Sequence, residues 1–468
     1  MRFFCFCGMV AVLVMIMCGC AVTGVDYFND QVAGDIAAAR VDLKNIHADA
    51  ADRTPVILIH GLFGAELQDR SVGSERVWGD FSCFGPIAKK RFQAMALSPA
   101  DDTVLSGVFA ADILRKTRVD FFGIKFELEN YSRIIDILRA IGYIPEKTFL
   151  PEGNHYSTLF IYHYDWRKSI DENAAGLAEF IEEKKKYLTV QFNSCLKHRN
   201  KEVRFDLLGH SMGGLVARYY VEFGAQKIGS GKEPLPVRNW YGAKNVRKLI
   251  MAGTPNGGYA DILFELVNGV RLHRLAPLFP AGVLATFPSC YQMLPDVSKN
   301  TVRFAESNKA VDIFDIKVWQ KYQWGLLENT EFNRKLWAKL FPAIPENERR
   351  AAAAEYVHHL LEKASRFKLL FNRHIGLPPE PVKYYLFASA GLKTNSLLEV
   401  DESDGSLEIS SFAPGDGKVT LRSAGFERHQ KDDPLISSDV YVLDGGHMGF
   451  MESTLFACNL ALVLYSEL

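Results

Sequence analysis

Neither sign of charge prevails in this chain. Fifty-four lysines and arginines stand against 55 aspartates and glutamates, a formal net charge of -1. No long basic run occurs, which excludes the electrostatic footprint of a nucleic-acid partner. Closely spaced cysteines are also missing. The chain has 8 cysteines, and those beyond the first twenty residues, Cys83, Cys195, Cys290 and Cys458, lie far apart with no CxxC pair. That spacing argues against a zinc site, and the sequence implies neither metal nor cofactor. Disulfides remain open to an extracytoplasmic protein, but sequence alone cannot pair them. No internal repeat and no low-complexity tract interrupts the chain. What is present is apolar mass. With 48% hydrophobic residues in 468, the chain can build one large core and carry an inserted cap. The aromatic share of 12% fits apolar ligands as well as it fits core filling.

The N-terminus is distinctive. MRFFCFCGMVAVLVMIMCGC has one arginine, an apolar run and then small residues, the pattern of a secretory leader. Its end, Met17-Cys18-Gly19-Cys20, resembles a bacterial lipobox, in which the last cysteine becomes a lipidated N-terminus after cleavage. Met17 and Cys18 depart from the usual Leu-Ala type. Residues 1–20 are therefore expected to be a signal peptide with Cys20 as lipid attachment site. Residues 21–53 are expected to be a tether with a short helix near Asp35 to Ile46. The expected location is the bacterial cell envelope, with the outer membrane favoured because Ala21 follows the cysteine instead of an acidic residue. The rival is an uncleaved anchor, since Phe3 to Val25 carries no charge and is long enough to span a bilayer; secretion is a third possibility.

Beyond the tether, short apolar runs alternate with helical periodicity. Strands are expected at Pro55 to Ile59, Leu159 to Tyr162, Val203 to Leu208, Val246 to Ala252, Val382 to Ala388 and Asp439 to Leu443. Helices are expected at Ile134 to Ile141, Glu172 to Tyr187, Leu215 to Phe223 and Met451 to Leu468. Residues 65–127 read as an irregular excursion. Such alternation suits right-handed crossovers and a mostly parallel sheet with helices on both faces. It fails between Tyr259 and Ile375, an aromatic, helix-prone stretch with Trp319, Tyr322, Trp324 and Trp337. The expected organisation is an α/β core at 54–258 and 376–468, interrupted by a largely helical cap at 259–375. The cap's aromatic residues are expected to bind acyl chains.

The chemistry centres on Gly209-His210-Ser211-Met212-Gly213, a G-x-S-x-G pattern between an apolar strand and a helix. A serine on so sharp a turn is lifted above the sheet, and the helix N-terminus behind it favours developing negative charge. The five residues alone are a weak signal; the strand before and the helix after strengthen it. Ser211 is the candidate nucleophile. The Met212 amide is one candidate oxyanion donor and Leu62, in His60-Gly61-Leu62-Phe63-Gly64 after the first strand, is the other. His447, between glycines after a strand in Asp444-Gly445-Gly446-His447, is the candidate base. The acid is assigned to Asp416, with Asp444, Asp432 and Asp433 as rivals. His358-His359 reads as a solvated helix face, since no carboxylate cluster accompanies it.

Further motifs make a family resemblance specific. Tyr164-Asp165-Trp166-Arg167 resembles the YDWR motif of the lecithin:cholesterol acyltransferase family. Gly415-Asp416-Gly417-Lys418-Val419 resembles its GDGTV acid motif, with Lys418 replacing threonine. Phe287-Pro288-Ser289 to Leu294-Pro295 resembles its PS…LLP segment, and Gly253-Thr254-Pro255 is similar to the strand-end loop of lipases generally. The resemblance spans residues 55 to 450. It implies an α/β-hydrolase fold, a Ser-Asp-His triad and acyl transfer from lipid esters to water or an alcohol. Two departures shift the expectation toward a lipase or phospholipase. His60-Gly61-Leu62 is more lipase-like than the family's acyltransferase members, and Cys83 has no nearby partner to close that family's lid loop. Asp165 and Arg167 are read as a structural charged pair, supporting the site together with Trp166, His60 and Gly61. The alternatives are a small-ester carboxylesterase and a non-catalytic lipid-binding envelope lipoprotein.

Overall fold

The computed structural model describes residues 53–466, apart from 83–84, 100–106, 122–123, 149, 151–155, 195–200, 230, 272–276, 297–299, 373–381 and 426–439. The leader, Cys20, the helix expected at Asp35 to Ile46, Cys83, Cys195, Asp432 and Asp433 all lie outside the described residues. Among the described residues no helix is long and apolar enough to cross a membrane.

Six parallel strands form the central sheet: β1 (Val56–Ile59), β2 (Leu159–Tyr162), β3 (Phe205–His210), β4 (Val246–Ala252), β5 (Lys383–Ser389) and β6 (Val440–Leu443). Their order is β6-β5-β4-β3-β1-β2, and every neighbouring pair runs parallel. The innermost strands are buried along their whole length, which is why they read as continuous apolar runs instead of alternating ones. Both faces are covered. Ile57, Ile59, Leu207 and Leu249 pack with Leu177 and Ile181 of α2 (Ile170–Ser194) and Leu215 of α3 (Met212–Phe223). Their sequence neighbours Val56, Leu58, Leu208 and Ile250 point the other way. They pack with Ile134 and Leu138 of α1 (Ser132–Ala140) and Leu460 of α6 (Thr454–Tyr465). Successive strand residues thus feed two cores, as period-2 geometry requires. This is an α/β-hydrolase-type layering, with α4 (Asp261–Asn268) and α5 (Arg349–Asn372) lying within the segment where the alternation fails.

The chain comes into the sheet at a defined point. Arg53 donates to the Ile141 carbonyl at 2.6 Å, and its guanidinium lies 4.6 Å from the Tyr465 ring centre at the end of α6. This is the edge at which the parallel strands begin.

Two expectations need correction, and one strand pairing was not expected. Residues 65–127 are not irregular. Ala65–Asp69, Glu75–Trp78 and Val108–Ile113 form one three-stranded sheet. Asp80–Ser82, Lys116–Phe121 and Ile124–Glu129 form another, with a helix at Gly85–Ala94 between. The strands hide in sequence because they are short, three to six residues each, and broken by charge. An antiparallel hairpin, Leu392–Val400 with Leu407–Gly415, also went unread, and it ends directly before Asp416. Finally, Trp319, Trp324 and Trp337 do not face a cleft. They are buried, and each indole N–H donates to a backbone carbonyl, of Ile313, Gly405 and Leu326 respectively. Satisfied tryptophans of this kind are core, not ligand surface.

Candidate active site

The strand-turn-helix at Ser211 is built by close approach. Ser211 sits at φ 53° and ψ -125°, a strained backbone conformation for a residue with a side chain. A Cβ on Gly209 would lie 2.6 Å from the Gly214 backbone, and one on Gly213 would lie 2.4 Å from the carbonyl oxygens of Ile59 and His60. Only glycine lets β3, α3 and β1 meet there.

The structure brings Ser211, His447 and Asp416 together from three separate loops. His447 Nε2 lies 2.9 Å from Ser211 Oγ, and His447 Nδ1 lies 2.8 Å from Asp416 Oδ2. The other carboxylate oxygen of Asp416 accepts the amides of Lys418 at 2.9 Å and Val419 at 2.7 Å. Burial raises the Asp416 pKa, but the bond and charge of His447 and these two amides outweigh it, so the carboxyl stays below its ordinary range. Because the Asp416 carboxylate accepts a hydrogen bond from Nδ1–H, the Nε2 lone pair faces the serine hydroxyl. Of the rival acids, Asp444 sits against Gly391.

Met212 opens α3 and is buried. Leu62 lines the same cavity as Ser211. The orientation of its amide is set by His60. Tyr164 N–H donates to His60 Nε2 at 3.1 Å, so His60 carries its proton on Nδ1 and donates to the Gly61 carbonyl at 2.8 Å. Gly64 N–H reaches the same carbonyl at 3.1 Å. Across a trans peptide the Leu62 N–H must point opposite to that carbonyl. His60 is fully buried and stacked on Tyr164, and burial depresses its pKa to about 3, so it stays neutral. Both of its nitrogens are occupied by backbone, so it shapes the loop instead of meeting substrate.

The Tyr164–Arg167 motif braces the site from behind. Arg167 is buried and pairs with Asp165 at 2.6 Å, while also donating to the carbonyls of Met95 at 2.8 Å and Val108 at 3.1 Å. It therefore pins the small-sheet excursion to the core. Trp166 donates to the Ala65 carbonyl at 3.1 Å and packs against Phe63 and Trp78. Ser289 of the PS segment donates to the Trp166 carbonyl at 2.7 Å. Replacing Arg167 by Met should cost about 3–5 kcal/mol, because Asp165 is left charged and nearly buried. Urea unfolding checks this; Asp165→Asn added to Arg167→Met should recover part of the loss.

A cavity of about 420 Å³ opens on Ser211 and His447, walled by Leu62, Phe63, Trp78, Tyr131, Tyr259 and Val270. The wall also carries charge, from Glu129, Arg271 and a paired patch at Lys418 and Glu265. Lys418, at the position where the resemblance leads one to expect threonine, pairs with Glu265 at 2.6 Å and Asp261 at 3.2 Å on α4. Burial raises the Glu265 pKa, with Lys418 opposing it. Sequence reasoning missed this pair, and it missed Tyr131 and His210, which touch across 79 residues of chain. Only His210 had a local signal, its place beside the serine. Among the described residues no group of His, Cys, Asp and Glu could hold a metal ion, and His358 and His359 are exposed on α5.

Comparison with known proteins gives three results. The sequence pattern of the family described as Lecithin:cholesterol acyltransferase matches residues 74–421. No curated protein sequence matches the chain. Among solved structures, a chain of the Tle4-Tli4 complex is similar at 12% identity and TM-score 0.50, covering 89% of this chain and 98% of that one. Weaker likenesses are to Bacillus licheniformis lipase BlEst2 in its propeptide form (12% identity, TM-score 0.33, 90% of this chain and 52% of that one) and to EstA from Clostridium botulinum (13% identity, TM-score 0.32, 90% of each).

Proposed function

The chain belongs to the lecithin:cholesterol acyltransferase family, and on that premise we propose that it is a serine hydrolase of lipid esters, acting through Ser211, His447 and Asp416. The observation that carries the reading is the unbroken hydrogen-bond chain from Asp416 through His447 to Ser211, opening on an apolar cavity.

In this reading His447 Nε2 takes the Ser211 proton as Oγ attacks the ester carbonyl. The Leu62 and Met212 amides hold the oxyanion, where removing one donor typically costs about 100-fold or more in rate. The tetrahedral intermediate collapses, and His447 passes its proton to the departing alcohol. That leaves an acyl-Ser211 ester. Water or a second alcohol, deprotonated by His447, then attacks the acyl carbon and frees Ser211. Apolar walls that limit water favour the alcohol. The neighbouring part-exposed apolar side chains, Leu62 and Phe63, supply acyl-binding surface. A lipid on Cys20 would hold the enzyme at the bacterial envelope beside its substrates.

The test mixes the purified protein, and its Ser211→Ala variant, with phosphatidylcholine vesicles and a long-chain alcohol. Products are read by mass spectrometry. Serine-dependent free fatty acid is the expected product, and a serine-dependent new ester would establish transfer. Turnover of short soluble esters with none on vesicles would overturn the lipid-ester reading in favour of a small-ester carboxylesterase.

A further inference from the structure

We infer that Tyr131 and His210 form a positioning strut, which ties the amide beside the oxyanion-binding peptide to the backbone of the general base. The inference rests on the acyl-transfer reading above and adds two residues to it.

The strut is a chain of three hydrogen bonds. Gly61 N–H donates to Tyr131 Oη at 2.7 Å. Tyr131 Oη lies 2.7 Å from His210 Nδ1. His210 Nε2 lies 3.1 Å from the His447 carbonyl oxygen. Proton counting allows one arrangement. A backbone amide can only donate, so the Tyr131 oxygen accepts from Gly61. A carbonyl can only accept, so His210 carries its proton on Nε2 and gives it to His447. His210 Nδ1 is then an acceptor, and the single tyrosine proton fills it. The reverse tautomer would set an imidazole lone pair against the His447 carbonyl, and a charged His210, donating from both nitrogens, would leave the tyrosine proton without its acceptor.

The surroundings hold this arrangement. Tyr131 is 3% exposed and His210 is 3% exposed. Burial, with His447 nearby, depresses the His210 pKa to about 3, so the ring stays neutral. The Tyr131 ring meets His210 edge-on at 5.7 Å. No buried polar atom of the strut is left without its partner, which makes such a network rigid.

Its ends explain its use. Gly61 is the residue before Leu62, and the His447 carbonyl belongs to the base itself. The two loops are far apart in sequence, and each follows a different strand. Oxyanion donor and base must keep a common geometry through the reaction, and a displacement of about 1 Å can cost 10²-fold in rate. Both His210 nitrogens are committed to the strut, so neither is free for a reacting atom. Tyr131 and His210 are positioning residues in this reading. Tyr131 also immediately precedes α1, so the strut joins the start of that helix to the site.

The experiment uses the full chain in detergent with p-nitrophenyl butyrate. Tyr131→Phe breaks the strut at one end and keeps the ring. His210→Asn keeps an acceptor for Tyr131 but cannot reach the His447 carbonyl. Each should lower kcat about 10- to 100-fold with KM within about twofold, since geometry is lost and binding is not. The double variant should be no slower than the worse single, because a strut broken once is already broken. Singles whose losses multiply, or a Tyr131→Phe enzyme of full kcat, would overturn the strut. His210→Gln replaces His210→Asn if the latter does not fold. Ser211→Ala runs alongside. If it is inactive while Tyr131→Phe is fully active, the strut alone fails. If it turns over ester like the unmodified protein, the acyl-transfer reading fails and takes the strut with it.

Discussion

Ser211→Ala should lower ester turnover by about 10⁴- to 10⁶-fold, and His447→Ala should do nearly the same. Their combination should be little worse than either alone. The reason lies in the geometry. Ser211 Oγ and His447 Nε2 are 2.9 Å apart and act as one unit, so removing either member ends the attack. What remains is rate due to binding and to the amides of Leu62 and Met212, which the substitutions leave in place. KM for a short soluble ester should stay within a few-fold, since the cavity walls are untouched. Steady-state kinetics on p-nitrophenyl butyrate, with a fluorophosphonate label to count live serines, reads both effects. Losses that multiply in the double variant would mean the two residues act independently, and the proposed mechanism would fall.

Asp416→Asn should cost about 10⁴-fold in kcat while leaving the fold intact. The amide is close in size to the carboxylate and can still accept the Lys418 and Val419 amides through its oxygen. Its NH₂ group, however, faces His447 Nδ1. That favours the tautomer with the proton on Nε2, where it can no longer take one from Ser211. The substitution should also change the acid side of the stability curve. The Asp416 carboxyl is held below its ordinary pKa of 3.8 in the folded protein. It therefore contributes stability that is fully present above that value and is lost as pH falls through the lower, folded one. Asp416→Asn should abolish this part of the acid-side decline. Thermal melts between pH 2.5 and 7 measure it. An acid limb unchanged by the substitution would contradict the assignment of the folded-state carboxylate.

The parts of this site that sequence could disclose are those encoded over a few neighbouring residues. Ser211 announces itself through Gly209, Gly213 and the apolar strand, because the turn cannot form without them. His447 and Asp416 stand among glycines in short loops, and the order Ser, Asp, His restricts the choice. The innermost strands, β1 and β3, read correctly because burial on both faces makes them largely apolar. Tyr131 and His210 escaped for the opposite reason. Their partners are distant in the chain, and the place of His210 beside the serine says nothing of what its ring touches. The strands within 65–129 escaped because runs of three to six residues broken by charge look like loop. The buried tryptophans misled because indole count says nothing about which way the rings face. Lys418 was noticed as a departure, yet its partners Glu265 and Asp261 lie on a helix about 150 residues away.

The point where the chain comes into the fold has a mechanical consequence. Arg53 lies against Tyr465 at the edge where the parallel strands begin, whereas Ser211 and the loop of His60 follow their ends. If Cys20 carries a lipid, as proposed, the chain leading from it enters the fold at the pole opposite the site. A domain of this size is about 55 Å across. Residues 21–52 can extend to roughly 100 Å at most. On the proposed anchor, an enzyme moored by its heel would have enough line to turn and face the membrane, and the length of that line would set which lipids come within its reach.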